Sequence, residues 1–173
     1  PDGSIVVRKL GDATPDFRMS ITQDLTWKRW NLHALVDYQQ GSNILNLTKL
    51  LADFGQNTPD YGDPIPGSSQ TVGERRLAGF LRTAGNYVES ATFVKIREVA
   101  ISYEVPPSVV RSVWGPIRSA RLSLSGRNLV TFTPYEGLDP EVSNFGNQAV
   151  ARTIDVAPFP PSRSFFFSID LGF

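Results

Sequence analysis

The chain has 173 residues with 17 basic and 17 acidic side chains, a single His and no Cys. The length fits one domain or part of a larger one, and zero net charge leaves no electrostatic footprint for nucleic acid. Without Cys there is no disulfide framework, thiolate metal site or Cys nucleophile. No run of about 18 apolar residues could cross a membrane as a helix, whereas strands of about 9 to 11 residues, half of them polar, could do so in a β-barrel. The opening Pro1-Asp2-Gly3, without Met or signal peptide, leads us to expect a mature product or a piece of something longer.

A short β-prone run, Ile5-Val6-Val7, precedes a turn at Gly11-Asp12-Ala13-Thr14-Pro15. From Phe17 the side chains alternate. Phe17, Met19, Ile21, Leu25 and Trp27 share one face, broken only by Gln23, while Arg18, Ser20, Thr22, Asp24 and Thr26 share the other. After a polar reversal near Trp27-Lys28-Arg29 the pattern resumes, with Trp30, Leu32, Ala34, Val36 and Tyr38 against Arg29, Asn31, His33, Asp37 and Gln39. These two stretches predict a hairpin. Trp30 and Tyr38 bracket the second strand, and its eight steps at ~3.3 Å, tilted by ~40°, span roughly 20 Å, close to the ~25 Å apolar band of an outer-membrane barrel.

Residues 41–90 are rich in Gly, Pro, Asn and Ser and read as a long loop. Ile44, Leu47, Leu50, Leu51 and Phe54 follow helical spacing up to Gly55, and a second helical turn is expected between Glu74 and Thr83. The third strand changes phase: Val94 and Ile96 are apolar at even positions, Val99, Ile101, Tyr103 and Val105 at odd ones. Either a β-bulge near Arg97-Glu98 keeps both sets facing one way, or the first half of the strand rises above the bilayer, where either face can be polar. Pro106-Pro107 ends that strand. The fourth groups Ala120, Leu122, Leu124, Val130 and Phe132 opposite Arg121, Ser123, Ser125, Arg127 and Thr131, with Asn128 interrupting, so a second bulge is expected near Gly126.

After a second long loop the last strand places Phe165, Phe167, Ile169, Leu171 and Phe173 on one face. Five large apolar groups in alternation suit a strand facing lipid. The expected strands are therefore 16–27, 28–40, 91–105, 119–133 and 163–173, with loops 41–90 and 134–162. Connections alternate between short and long, as periplasmic turns and extracellular loops do in outer-membrane barrels, which puts the chain end at the periplasmic side. Trp27, Trp30, Tyr38, Tyr103 and Phe132 are the expected interfacial aromatic girdle. Arg18, Arg29, Asp37, Arg121 and Arg127 are the expected lumen-facing charges.

Three strings carry a family resemblance. Tyr87-Val88-Glu89-Ser90-Ala91-Thr92-Phe93 through Pro106, then Ser125-Gly126-Arg127-Asn128-Leu129-Val130-Thr131-Phe132-Thr133 with Tyr135-Glu136-Gly137-Leu138-Asp139-Pro140-Glu141-Val142-Ser143, and finally Pro161 through Phe173, resemble in that order the C-terminal barrel region of SusC/RagA-type TonB-dependent outer-membrane transporters. Gly11 to Phe17 and Asp37 to Asn46 fit the same pattern.

The resemblance implies an all-β fold, an antiparallel transmembrane β-barrel segment forming the last five strands of a 22-stranded barrel, with two long extracellular loops. It implies import of glycans or peptides across the bacterial outer membrane. The implied partners are a plug domain and the remaining barrel strands, a SusD-like surface lipoprotein, the TonB-ExbB-ExbD complex and membrane lipid. The plug and the earlier strands are not in this sequence. Five strands alone would leave open edges of unpaired backbone groups in lipid, each costing several kcal/mol, so the segment needs further strands. By resemblance to outer-membrane proteins in general, Phe165, Phe167, Ile169, Leu171 and Phe173 form the signal read by the barrel-assembly machinery.

No catalytic, cofactor or metal site is expected. His33, the one His, reads as a lumenal polar group beside Asp37, and Asp139 with Glu141 reads as a turn around Pro140 rather than a Ca²⁺ loop. Nor does a nucleophile-base or carboxylate pair point to an enzyme. The competing reading is a soluble β-sandwich that binds carbohydrate, in which the apolar faces would pack on each other.

Overall fold

In the computed structural model residues 8–80, 82–141 and 153–173 are described. The run Ile5-Val6-Val7 and residues 142–152 of the second long loop lie outside them. In chain order the elements are β1 (Phe17–Trp27), β2 (Trp30–Gln40), β3 (Asn43–Asn46), α1 (Leu47–Phe54), α2 (Val72–Phe80), a 3-10 turn (Ala84–Tyr87), β4 (Val88–Ser90), β5 (Phe93–Glu104), α3 (Pro107–Trp114), β6 (Ser119–Phe132), β7 (Ile154–Asp155) and β8 (Ser164–Gly172). They divide into two compact units.

One unit, Arg18–Tyr38 with Phe93–Phe132 and Pro161–Phe173, holds a five-stranded sheet in the order β1-β2-β5-β6-β8. Lys28 sits at φ +56° in the tight reversal between β1 and β2, a left-handed conformation that short hairpin turns demand. β6 pairs antiparallel with β8 in unbroken register from Ser119↔Gly172 to Arg127↔Ser164, so Leu122, Leu124 and Gly126 stand opposite Ile169, Phe167 and Phe165. Because paired residues share a face, the alternation of each strand adds to that of its neighbour.

β5 and β6 are also antiparallel, with one register shift between Ile96 and Glu98. Ile96 pairs with Val130 and Glu98 with Arg127, so Asn128 and Leu129 together stand opposite Arg97 alone. A single irregularity thus takes the place of the two expected bulges, and because it adds no residue to β5 it does not bring the two sets together: Val94 and Ile96 fall on the face of Glu98, opposite Val99 and Ile101. The extra residue falls on β6 because Asn128 adopts φ +52°, a conformation Asn tolerates better than most side chains. The link between β5 and β6 is α3, which starts at Pro107 as its first residue, buries Val110 and stops at Gly115 with φ +55°.

The other unit is built from Pro1–Phe17, Gln39–Thr92 and Thr133–Pro160. Its three-stranded sheet has the order β4-β3-β7, with β3 antiparallel to β4 and parallel to β7. The helix expected from Ile44 begins only at Leu47, because Asn43 to Leu45 pair with Val88 to Ser90 and Asn46 caps the helix by accepting from the Lys49 N–H at 2.8 Å. Ile44 instead enters a small core with Ala91 and Tyr135. α2 opens with a reciprocal box: the Thr71 N–H donates to the Glu74 carboxylate at 2.9 Å and the Glu74 N–H to the Thr71 hydroxyl at 3.4 Å.

Candidate functional site

The five-stranded sheet has two chemically opposite faces. On one lie Phe17, Met19, Ile21, Leu25 and Trp27 of β1, Trp30 and Leu32 of β2, Ile101 of β5, Leu124 of β6, and Phe165, Phe167, Ile169 and Leu171 of β8, all of them exposed. Phe165 and Phe167 leave 68% and 65% of their surface uncovered, and Phe173 beyond the strand 78%. A contiguous apolar surface on this scale marks an interaction with apolar surroundings.

Trp27, Trp30, Tyr38, Tyr103 and Phe132 fall at the two ends of that sheet's strands. Trp27, Trp30 and Tyr103 gather where β1 turns into β2 and β5 leads into α3: the Glu104 N–H donates to the Arg29 carbonyl at 2.9 Å, and the Trp30 and Tyr103 rings are tilted at 4.6 Å. Tyr38 lies at the opposite end of β2. Phe132 lies at the opposite end of β6, paired with Val94.

The second face is charged, and its charges are paired between neighbouring strands. Arg121 on β6 reaches Glu104 on β5 at 2.6 Å, and Arg127 reaches Glu98 at 3.1 Å while its guanidinium lies 5.9 Å from the Phe166 ring. Arg97 bonds Asp37 of β2 at 2.7 Å. Arg97 and Glu98, adjacent in sequence, thereby reach charged partners on different neighbours, β2 and β6. Arg29 and Arg121 line a concavity of about 420 Å³ with Glu104 and Asp170. Arg18, on β1, is exposed.

His33 does not meet Asp37. Its Nδ1 lies 2.7 Å from Asp24 Oδ1, and Asn31 accepts from the Thr26 hydroxyl at 2.8 Å, so β1 and β2 pair 24 with 33 and 26 with 31. Asp37 is four residues further on, roughly 13 Å along the strand at ~3.3 Å per residue, and belongs to Arg97. Sequence reasoning missed Glu98, Glu104 and Phe166. The first two stand cross-strand from Arg127 and Arg121, a pairing invisible before the register is known. Phe166 breaks the alternation of β8 and shares its face with Ser125 through their pairing.

The other unit is tied together by two buried carboxylates. Asp53 has no exposed surface and accepts from Arg76 Nε and Nη2, both at 2.6 Å, from the Thr58 hydroxyl at 2.5 Å and from the Tyr87 hydroxyl at 2.9 Å. The same guanidinium donates to Asp60 at 2.6 and 3.0 Å. Burial would push the Asp53 carboxyl up, but the hydrogen bonds from Arg76, Thr58 and Tyr87 outweigh it and hold it below its ordinary value. Asp60 is held low chiefly by Arg76. Burial and the neighbouring Asp53 push the Tyr87 phenol up, so it stays a donor.

Asp155, also buried, accepts from the hydroxyls of Tyr135 and Thr48. Burial, then Asp155, push the Tyr135 phenol up. Lys49 bridges Glu136 and Glu89, and the second Glu89 oxygen accepts from the Glu136 N–H at 3.0 Å. These groups fasten residues distant in sequence. At Asp139, Oδ1 accepts from the Glu141 N–H at 2.8 Å, closing a turn around Pro140. Among the described residues no group of three or more His, Cys, Asp or Glu is placed to hold a metal.

No family model matches the chain. Over 95% of its length it is similar to TonB-dependent receptors of Formosa agariphila: receptor P3 is 30% identical over 172 residues and receptor P39 is 39% identical over 175. The chain spans 17% of the length of each. Among solved structures, the RagAB peptide importer in its open-open state matches 93% of the chain with a TM-score of 0.60 at 20% identity. A RagAB peptide transporter structure matches 92% with a TM-score of 0.64 at 22% identity, the chain covering 17% of it in both cases.

The fold is thus all-β in class and mainly antiparallel, a stretch of sheet of the kind found in these structures. Over nearly its whole length the chain is similar to a part of TonB-dependent receptors, and it shares the fold of the matching part of the RagAB structures.

Proposed function

We propose that this chain supplies wall and surface loops to a TonB-dependent outer-membrane importer of glycans or peptides. β1, β2, β5, β6 and β8 are the last five strands of a large barrel, their apolar face meets lipid, and their ion-paired face lines the lumen. Trp27, Trp30 and Tyr103 mark one margin of the apolar band and Tyr38 the other, while the register puts Phe132 on the opposite face with Val94. The stretches 41–90 and 134–162 lie at the cell surface, the Lys28–Arg29 turn and α3 at the periplasmic side. A plug domain, the missing strands, a SusD-like lipoprotein and the TonB-ExbB-ExbD complex complete the machine, which is a transporter and not an enzyme.

One observation carries this reading: an exposed apolar face backed by a face whose charges pair across strands. A soluble β-sandwich would cover the first face with a second sheet. In an outer-membrane barrel lipid covers it, and polar groups alternate inward. Two measurements test the proposal. The native polypeptide should stay in the membrane fraction until detergent is added, and protease added to intact cells should cut near Pro64 and spare Pro107. Solubility without detergent, or the reverse cleavage pattern, would overturn it.

A further inference from the structure

At the short-turn end of the apolar face the structure gathers cations beside aromatic and aliphatic surface. Lys28 is exposed and its Nζ lies 4.9 Å from the Trp27 ring centre, next to the tilted pair of Trp30 and Tyr103 rings. Arg118 is exposed one residue ahead of β6, its N–H donating to the Gly172 carbonyl at 2.7 Å, so it stands beside Phe173 and on the parity of Ala120 and Leu122. Arg111 is exposed on α3, which also presents Val109 and Val113 to solvent, 46% and 62% uncovered. Among the described residues none of these three cations has a carboxylate within ion-pair distance, whereas Arg97, Arg121 and Arg127 on the other face all do.

Pairing charge on one side and leaving cations bare on the rim of the other is the arrangement a phosphate headgroup layer would complement. Indole and phenol rings settle at the level of the headgroups, and a Lys or Arg near an anionic bilayer surface gains about 1 kcal/mol. Long basic side chains can keep their stems on the apolar surface while their charges reach the phosphates.

From this juxtaposition we infer that Lys28, Arg111 and Arg118, with Trp27 and Trp30, form a rim that binds anionic glycerophospholipid in the leaflet at the short-turn end. The inference rests on the wall reading of the sheet. It goes further by naming the ligand chemistry and the residues that select it.

The test uses the full-length receptor purified in detergent from its native membrane and titrated with short-chain phosphatidylglycerol, phosphatidylcholine or lipopolysaccharide, bound molecules being counted by native mass spectrometry. Wild type should prefer phosphatidylglycerol to phosphatidylcholine. Lys28→Gln/Arg118→Gln should weaken phosphatidylglycerol binding roughly thirtyfold, about fivefold for each cation, leave phosphatidylcholine unchanged and keep the heat-modifiable mobility of a folded barrel. Lys28→Arg should keep the preference.

Equal binding of the two phospholipids, an unchanged preference in the double variant, or selection of lipopolysaccharide alone would overturn the inference while leaving the wall reading intact. A polypeptide that needs no detergent would remove the wall reading itself. If the double variant lost its folded mobility, the single Lys28→Gln and Arg118→Gln variants would decide, each expected to lose about fivefold.

Discussion

Replacing Arg76 by Ala removes the one cation that Asp53 and Asp60 share. The Asp53 side chain is fully buried and that of Arg76 is 10% exposed, so the variant strands a buried carboxylate with only the Thr58 and Tyr87 hydroxyls as donors. Breaking a buried pair from one side costs about 3 to 5 kcal/mol, because the remaining charge keeps its desolvation penalty and loses its partner. At about 1.4 kcal/mol per tenfold, that is roughly a 150- to 5,000-fold rise in the open population of the unit. Hydrogen exchange on the intact receptor reads this directly. The Val72 and Gly73 amides, which donate to the Asp63 and Tyr61 carbonyls at 3.0 Å, should exchange faster by up to that factor. Amides of the β6–β8 ladder should not change. Arg76→Lys should lose part of the protection, since one ammonium cannot make the four guanidinium contacts. Unchanged exchange at Val72 and Gly73 in Arg76→Ala would refute the reasoning.

The same carboxylates set an acid limit. Asp53 and Asp60 are held below their unfolded value of 3.8, so the unfolded state binds protons first as pH falls. Their contribution is complete above the ordinary carboxylate range and declines from about pH 4 downward, so exchange at Val72 and Gly73 should quicken there and not between about pH 6 and 8. On the sheet, Leu124→Arg puts a charge on the exposed apolar face between Ile101 and Phe167 and should destabilise the assembled barrel by about 2 to 4 kcal/mol, whereas Ser123→Arg on the charged face should cost little. Urea unfolding of the reconstituted receptor compares the two. Phe173→Ser should lower the amount of assembled receptor while transport per assembled molecule stays the same. A normal surface level in that variant would count against an assembly signal at this strand.

The strands with strict alternation were legible, because each carries its own evidence: β8 shows Phe165, Phe167, Ile169 and Leu171 at a period of two, and the β1–β2 pair repeats the pattern around Lys28. The irregularity near Arg97 was legible as a change of phase, but which strand takes the extra residue depends on Asn128, whose backbone preference is visible only beside its partner strand. β3 was hidden because Ile44 lies three residues before Leu47 and so extends the spacing of α1, and its partners lie at Val88–Ser90 and Ile154–Asp155. The Thr71-x-x-Glu74 box was a local signal for the start of α2. Nothing local marked Asp53. Its partners Thr58, Arg76 and Tyr87 converge from three separate stretches, and only the folded chain brings them within 3 Å.

The first of the long excursions is fastened at its neck. The Gly41 N–H donates to the Thr92 hydroxyl at 3.3 Å, the Ala91 N–H to the Ser42 carbonyl at 2.8 Å, and Asn43 to Leu45 pair with Ser90 to Val88. A chain that leaves β2 and returns to β5 therefore comes back to the point it left. Whatever is inserted above that neck changes the closure cost only slowly, by about 0.6 kcal/mol for each doubling of length. The neck makes the excursion a cassette. Its contents can lengthen or shorten at little cost to the closure between residues 41–45 and 88–92.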